Sequence, residues 1–445
     1  MKFVVKAWSN GKARAGVLQL GSCPHPIETP ALLLTTRKGL PVFIPPDHFP
    51  SLPSPDSLLF HVSPLHFLEG ISLKAISNIG GLHPLLGLRD HILVAVPRDS
   101  IISIPDHDST NRIGASFETP SGRMLIKPAE YMEMISSMRP NLWTTLADEV
   151  PAWASEKRNK ASVERTLRWL DECIISNSFC IVSFCMHNVI SIPTSGIRAN
   201  GLKQDRRQIQ KDGAVFGSIV GGSRVEVRQS CAQEVSRRNV EGFWIGGFGL
   251  GESMEERNPL LSAVMVHKLP LIFIQSLHSK DSLPQEKPRL ISGLGLPEEV
   301  LQGVAAGIDL FDSTYIYHLT LGGFALTFPL ERIVTQITKY QPNSDSGSDG
   351  TKINLKATMY RKDTSPIVDN CKCYTCQNHT KAYINHLFNV HEMLAHILLE
   401  IHNTHHYLGF FCSIREAIQE GKFEQFRQKF VGSRREHLFS AALSI

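Results

Sequence analysis

The chain has 445 residues and a formal net charge of +4, with 42% hydrophobic and 20% charged residues. This length and composition predict a globular protein of two to three domains, or one large α/β barrel with additions. The nearly balanced charge neither requires nor excludes a nucleic-acid partner, because a basic surface would have to come from local clusters of Lys and Arg.

The cysteines and the N-terminal residues indicate the cellular compartment. The nine cysteines have no disulfide-framework spacing, which favours reduced thiols in a cytoplasmic protein. The first residues show neither a signal peptide nor a transit peptide. The most apolar stretch, residues 174–190, is interrupted by polar side chains and falls short of the roughly 18 apolar residues that a membrane helix needs. We therefore predict a cytoplasmic location and no integral membrane segment.

Along the chain, short apolar runs alternate with amphipathic segments. The runs predict strands buried on both faces at residues 31–34, 93–96, 214–220 and 271–274. Helical spacing predicts a helix over 162–174 with Ser162 as its N-cap, and another over 297–306 that has proline and two acids in its first turn. This alternation predicts a parallel α/β architecture, and the size favours a (β/α)₈ TIM barrel.

Two segments interrupt the pattern. Residues 176–210 predict a long insertion, and the small, polar, acidic residues 342–350 predict a disordered loop. The predicted organisation is a barrel over 1–340 with the insertion near 176–210, a disordered acidic loop over 341–351, and a C-terminal segment over 352–445. In that segment, apolar spacing predicts one helical stripe over 380–401 and a second helical region over 413–430, broken at Gly421.

The C-terminal segment begins with a compact cysteine motif, Cys371-Lys-Cys373-Tyr-Thr-Cys376. Three thiols so close together can bind one ion, and one imidazole would complete a Cys₃His site typical of structural zinc. Spacing alone does not choose the fourth ligand. The candidates are His379, His386, His391, His396, His402, His405 and His406.

Carboxylates and glycines suggest a second site. Asp309 and Asp312 lie three residues apart in a strand-like run, so they should face opposite sides of the strand. At the C-terminal end of a barrel strand, one could be catalytic, or both could bind loop atoms. The glycine-rich stretches are 221–222, directly after the predicted strand at 214–220, and 246–251, and glycines directly after a strand would permit either a flat ligand or tight turns.

Together these motifs resemble the tRNA-guanine transglycosylases over essentially the whole chain outside 176–210 and 342–350. The shared stretches are the cysteine motif, 382–387, 400–403, 27–31, Ser121-Gly122, Asp148-Glu149, 216–222, 245–252 and 309–312. The resemblance implies a (β/α)₈ barrel with one structural Zn²⁺ per subunit, held by Cys371, Cys373, Cys376 and His402. It also implies a role in exchanging guanine for queuine at the wobble position of tRNAs with GUN anticodons.

The departures from the catalytic pattern bear on activity. Asp312 matches the family nucleophile and Asp148 a base-recognition aspartate. In the family's catalytic members, the loop that we align with Ser121 has an aspartate before the serine and Gly-Gly after it, whereas this chain has Pro120 and, for the second glycine, Arg123. Gly221 stands where a glutamine would bind the base. Since proline has no ionisable group, proton transfer is expected to be lost and Asp312 to be vestigial.

This profile resembles the accessory, non-catalytic branch of the family. The resemblance implies a heterodimer with a catalytic queuine tRNA-ribosyltransferase subunit, to which this chain would contribute tRNA binding and no catalytic residue. Two alternatives stay open: an active transglycosylase that uses Asp312, and a zinc-stabilised barrel without a tRNA role.

Overall fold

The computed structural model describes the chain except residues 10, 22, 100, 102, 190–212, 266–282, 313, 331–349 and 433–445, and describes only the backbone of 177–189. The strands are β1 Lys2–Trp8, β2 Arg14–Gln19, β3 Ile27–Thr29, β4 Ala31–Thr35, β5 Leu59–Val62, β6 Ile92–Ala95, β7 Ile104–Pro105, β8 Ala115–Thr119, β9 Gly122–Ile126, β10 Leu142–Thr144, β11 Ala214–Ile219, β12 Gly242–Ile245, β13 Arg289–Ser292, β14 Leu310–Asp312, β15 Phe324–Leu326 and β16 Lys352–Asn354.

The α-helices are α1 Leu73–Ile79, α2 Leu82–Leu86, α3 Pro128–Met138, α4 Glu156–Val189, α5 Val225–Ser236, α6 Met254–Val264, α7 Pro297–Ala306, α8 Tyr315–Gly322, α9 Tyr374–Asn378, α10 Lys381–Asn389 and α11 Leu394–Gln419. Short 3₁₀ helices cover Pro46–Ser51, Asp56–Leu58, Pro64–Phe67 and Thr358–Lys362, and a last helix covers residues 423–432. None of the helices in this described part is both long and apolar enough to cross a membrane.

Eight parallel strands close into a barrel in the order β4, β5, β6, β10, β11, β12, β13 and β14, with β14 pairing back to β4. The closure confirms the predicted (β/α)₈ fold. Three of the predicted strands coincide with β4, β6 and β11, whose residues are buried almost throughout. Residues 271–274, the fourth predicted strand, lie outside the described residues. Smaller antiparallel sheets of β1–β3 and β7–β9 flank the barrel.

Helix α4 differs from its prediction at both ends. It begins at Glu156 rather than after Ser162. Ser162 is fully buried and its hydroxyl donates a hydrogen bond to the carbonyl of Asp148, so it ties the helix to the barrel and does not cap it. The helix continues to Val189, into the segment expected to be an irregular insertion, and the remainder of that segment lies outside the described residues. Helix α7 spans its predicted range.

The C-terminal segment contains a turn that the sequence pattern did not predict. Residues 390–393 separate α10 from α11, and His391 has a positive φ of 60°. Val390 and Leu394 lie within the helical stripe predicted over 380–401, which should face the core, but they are 49% and 38% exposed. The expected break at Gly421 is present, where φ is 71°. The predicted loop over 341–351 lies almost wholly outside the described residues, so the domain boundaries stay predictions.

Two features attach this segment and the N-terminal sheet to the barrel. Helix α11 packs against β1, β2, β4, α8 and β15 and is buried on most sides. Arg14 on β2 donates two hydrogen bonds to Asp309, of 2.8 and 2.6 Å, and the backbone N–H of Arg289 donates a third of 2.8 Å. Asp309 is thus the structural member of the carboxylate pair, at the N-terminal end of β14, and Asp312 lies at the other end.

Candidate metal centre and barrel mouth

Four side chains of the C-terminal segment converge on one point. The distances from Nδ1 of His402 to the sulfurs of Cys371, Cys373 and Cys376 are 3.9, 3.5 and 3.3 Å. All four donor atoms lie within 4.8 Å of one another. Metal–ligand bonds of about 2.0–2.3 Å in a tetrahedron would place sulfur and nitrogen about 3.6 Å apart. The cluster can therefore hold a metal ion.

The local fold orients each ligand. Cys373 precedes α9, and its sulfur accepts the backbone N–H of Cys376 at 3.2 Å. His402 lies in α11, fully buried, and its Nε2 donates to the carbonyl of Leu326 at 2.8 Å. That hydrogen bond fixes a proton on Nε2 and turns Nδ1 towards the sulfurs, the usual outer-shell arrangement of a metal-binding histidine.

The protonation of the cluster is coupled to metal binding. Burial alone would lower the pKa of His402, but its thiol neighbours Cys371 and Cys376 raise it to about 9. The hydrogen bonds from Cys373 and Cys376 lower the pKa of Cys371. Without metal, His402 therefore carries a proton on Nδ1 as well at neutral pH, and a metal ion would displace that proton on binding.

At the barrel mouth, Asp312 ends β14 in a buried position. Its Oδ2 lies 3.6 Å from Nε2 of His61, too far for a hydrogen bond, and that nitrogen instead donates to the carbonyl of Arg98 at 3.1 Å. Burial raises the pKa of Asp312, offset in part by His61 and by a hydrogen bond from Ser292. A carboxylate that needs to attack as an anion is thus held in surroundings that disfavour the anion.

A second carboxylate, Asp99, lies in the loop after β6. Its Oδ2 accepts a 2.8 Å hydrogen bond from Nε2 of His66, whose Nδ1 accepts the backbone N–H of Lys38 at 3.2 Å. Burial alone would raise the pKa of Asp99, but His66, His61 and the N–H of Ile101 together lower it. Asp99 is therefore an ionised group that is already paired within the protein.

Asp148, in the loop after β10, is fully enclosed by arginines. Arg158 donates to its two oxygens at 2.7 and 2.6 Å, and Arg165 donates a third hydrogen bond at 3.0 Å. The carboxylate itself has no exposed surface. Thr166 accepts the backbone N–H of Asp148 at 3.0 Å. Both carboxylate oxygens are occupied from α4, so neither is presented to a ligand.

Arginines also occupy the glycine-rich loops. Buried Arg228 donates to the carbonyls of Gly222 and Gly246 at 2.8 and 2.9 Å and lies over the ring of Phe248. A Cβ at Gly221 would lie 2.7 Å from the backbone of Arg228. These glycines permit a close approach of protein groups, as tight barrel turns, rather than of a flat ligand. Burial lowers the pKa of Arg228 to about 10, so its guanidinium stays charged at neutral pH.

Comparison with known proteins agrees with this geometry. A family model described as "Queuine tRNA-ribosyltransferase" (TGT) matches residues 9–436. The chain belongs to the TGT family. It is similar over nearly its whole length to proteins named queuine tRNA-ribosyltransferase accessory subunit 2. The Homo sapiens protein is 30% identical (96% of this chain, 98% of that protein) and the Danio rerio protein 31% identical (93% and 95%).

One assignment within the TGT pattern is wrong. Residues 120–123, aligned with the family's proton-transfer loop, form the exposed tip of the hairpin between β8 and β9, outside the barrel. Arg123 there pairs with Asp106 at 2.6 Å and crowds no base pocket. The loop that directly follows barrel strand β6 is the one that carries a carboxylate at the barrel mouth, Asp99.

Several residues at the barrel mouth of this TGT-family chain were missed by sequence reasoning: His61, His66, Arg98, Asp99, Arg158 and Arg228. Arg98 donates to Glu149 at 2.8 Å and to the carbonyl of Phe248 at 2.9 Å, so it bridges three strand-end loops. Asp99 could have been found as the first carboxylate after the apolar run 93–96. His66 and Arg228 had no signal, because their roles depend on partners distant in sequence.

Proposed function

We propose that this chain is the accessory, non-catalytic subunit of a queuine tRNA-ribosyltransferase heterodimer. The catalytic partner would exchange guanine for queuine at the wobble position of tRNAs with GUN anticodons, and this chain would support tRNA binding. The main structural support is the enclosure of Asp148 by Arg158 and Arg165, which leaves neither carboxylate oxygen free for a base. The relatives named as accessory subunits support the same role.

Base exchange needs a nucleophile, a group that transfers protons, and a polar side chain that is free to hydrogen-bond the base. Asp312 is retained, but burial raises its pKa. Asp99 is bound to His66, and Asp148 to two arginines. Since loss of a general acid or base alone costs about 10²–10⁴-fold in rate, we expect a chain whose carboxylates are all engaged in this way to be inactive by itself.

We propose that the metal is one structural Zn²⁺ per subunit. A Cys₃His donor set with about 3.3–3.9 Å between nitrogen and sulfur suits tetrahedral zinc. Four protein ligands leave no open coordination position, so the ion would stabilise the fold and perform no chemistry. It would join α9 and α11 around the small core that includes Ile384, Leu387 and Leu398.

The catalytic subunit would dock on the C-terminal segment, residues 352–445, which contains the metal cluster. This segment exposes five large apolar side chains, which a docked partner could remove from water. They are Met359, Tyr383, Val390, Met393 and Leu394. We also propose a cytoplasmic location, which suits the free thiols of the described cysteines.

The test is guanine exchange into tRNA, measured with this chain alone, the catalytic homologue alone and the two together. We expect no exchange from this chain alone, and full exchange from the pair whether this chain carries Asp312 or Asp312→Ala. The matched control places the same change in the nucleophile of the catalytic homologue, which should abolish exchange.

The two alternatives give different results. Exchange by this chain alone that Asp312→Ala abolishes would establish an active transglycosylase, which retention of Asp312 at the end of β14 favours. Failure to bind the catalytic homologue, together with no salt-dependent tRNA binding, would establish a metal-stabilised barrel without a tRNA role.

A further inference from the structure

An exposed tryptophan borders a cavity beside the barrel mouth. Trp153 is 74% exposed, the highest value among the large apolar side chains in the described part of the chain. The adjoining cavity has a volume of about 150 Å³, below the roughly 300 Å³ of a small-molecule site. Its lining residues are Pro105, His107, Glu149, Pro151, Trp153 and Leu250.

The indole is held in place although it is exposed. A Cβ at Gly251 would lie 2.4 Å from the six-membered ring of Trp153, so the ring lies on the bare backbone of that glycine. The preceding residue, Ala152, donates its N–H to the carbonyl of Leu250 at 3.1 Å and accepts the hydroxyl of Ser223 at 2.5 Å. One face of the indole is therefore supported by the protein, and the ring remains open to solvent.

Two exposed cations adjoin the Trp153 loop, one four residues further along the chain and one next to Ser223. Lys157 and Arg224 are exposed, and neither makes a salt bridge with any residue that the structure describes. On the helix, Glu156 pairs with Lys160 at 2.7 Å, which lowers the pKa of Glu156, and the charge of Arg224 adds a smaller lowering without a salt bridge between the two. Arg224 follows Ser223, the residue that binds the Trp153 loop. A supported aromatic ring beside exposed cations is the arrangement by which proteins bind single-stranded nucleic acid.

We propose that Trp153 is a stacking site for an unpaired nucleobase of a bound RNA, with Lys157 and Arg224 contacting the adjoining phosphates. This inference rests on the proposed function, because it takes tRNA as the source of the RNA. The cavity is too small for a whole ligand but admits the edge of one ring, and every base offers a face to stack.

The experiment measures tryptophan fluorescence of the full-length, metal-loaded chain. Trp143, Trp169 and Trp244 are buried, and Trp8 is the other partly exposed tryptophan, so Trp8→Phe leaves Trp153 as the exposed reporter. An anticodon stem-loop RNA should quench this signal, and a fully paired RNA duplex of the same length should not. The proposal is wrong if both RNAs quench the fluorescence equally, or if neither RNA quenches it.

Affinity measurements on the same chain separate stacking from charge. Trp153→Ala should weaken stem-loop binding roughly tenfold without changing the salt dependence, and Trp153→Phe should retain most of the affinity. Lys157→Gln should instead reduce the slope of log K against log salt by about one. If Trp153→Ala binds the stem-loop with unchanged affinity, the stacking proposal is wrong. Failure of the proposed function would give a different result, namely guanine exchange by the catalytic homologue that does not depend on this chain.

Discussion

The enclosure of Asp148 predicts that its replacement affects stability rather than exchange. Its carboxylate is fully buried and accepts three charge-assisted hydrogen bonds of 2.6–3.0 Å from Arg158 and Arg165. Removing one partner of a buried ion pair costs about 3–5 kcal/mol. The arginine side chains here are 22% and 20% exposed and keep some water, so we expect about 2–4 kcal/mol for Asp148→Ala.

Urea denaturation measures this loss as a lower midpoint at unchanged slope. Asp148→Asn keeps one acceptor oxygen and should lose about half as much. The matched control is Glu156→Gln, which breaks an exposed pair with Lys160 and should leave the midpoint unchanged. Under conditions in which Asp148→Ala is still folded, the rate of guanine exchange by the heterodimer should equal that with the wild-type chain. A variant that is as stable as wild type yet halts exchange would refute the reasoning, since Asp148 would then be free to bind a substrate.

Three further predictions concern the metal and Asp312. Cys373→Ser should lose the bound zinc, measured as metal per protomer, and a variant that retains one zinc would contradict the ligand assignment. Because the pKa of His402 is raised to about 9, zinc must displace its proton at neutral pH, so affinity should fall about tenfold or more per pH unit on acidification. Because the pKa of Asp312 is raised, the folded state binds the carboxyl proton of Asp312 more tightly than the unfolded state does. The contribution of Asp312 to the free energy of unfolding therefore falls as the pH rises above the pKa of the unfolded state. Asp312→Asn should therefore raise the urea midpoint at pH 7, and a lowered midpoint would show that the anion is stabilised in the fold.

The sequence predicted the barrel through its longest strands. Buried parallel strands are continuous apolar runs, and β4 and β11 have that form. Strands such as β13 are only a few residues long and begin with a polar residue, Arg289, whose burial depends on partners elsewhere in the chain. Short runs of this kind carry too few residues for a periodic signal.

The metal centre was predictable to a greater extent than the barrel mouth. Three ligands lie within six residues, and the family resemblance supplied His402. The partners of Asp148 follow it by 10 and 17 residues. Their helical spacing was visible in the sequence, but nothing in that spacing says that the face they share points at a carboxylate.

Most charged groups at the barrel mouth are bound to one another. Arg98 with Glu149 and His66 with Asp99 are buried pairs, and a buried charge without its partner is strongly destabilising. An active site instead needs polar groups held ready for a substrate. Helix α11 supplies His402 and also packs on β4 of the barrel, so the metal segment depends on an intact barrel. On the proposed function, the barrel would be needed to support the docking surface even where its own pocket performs no chemistry.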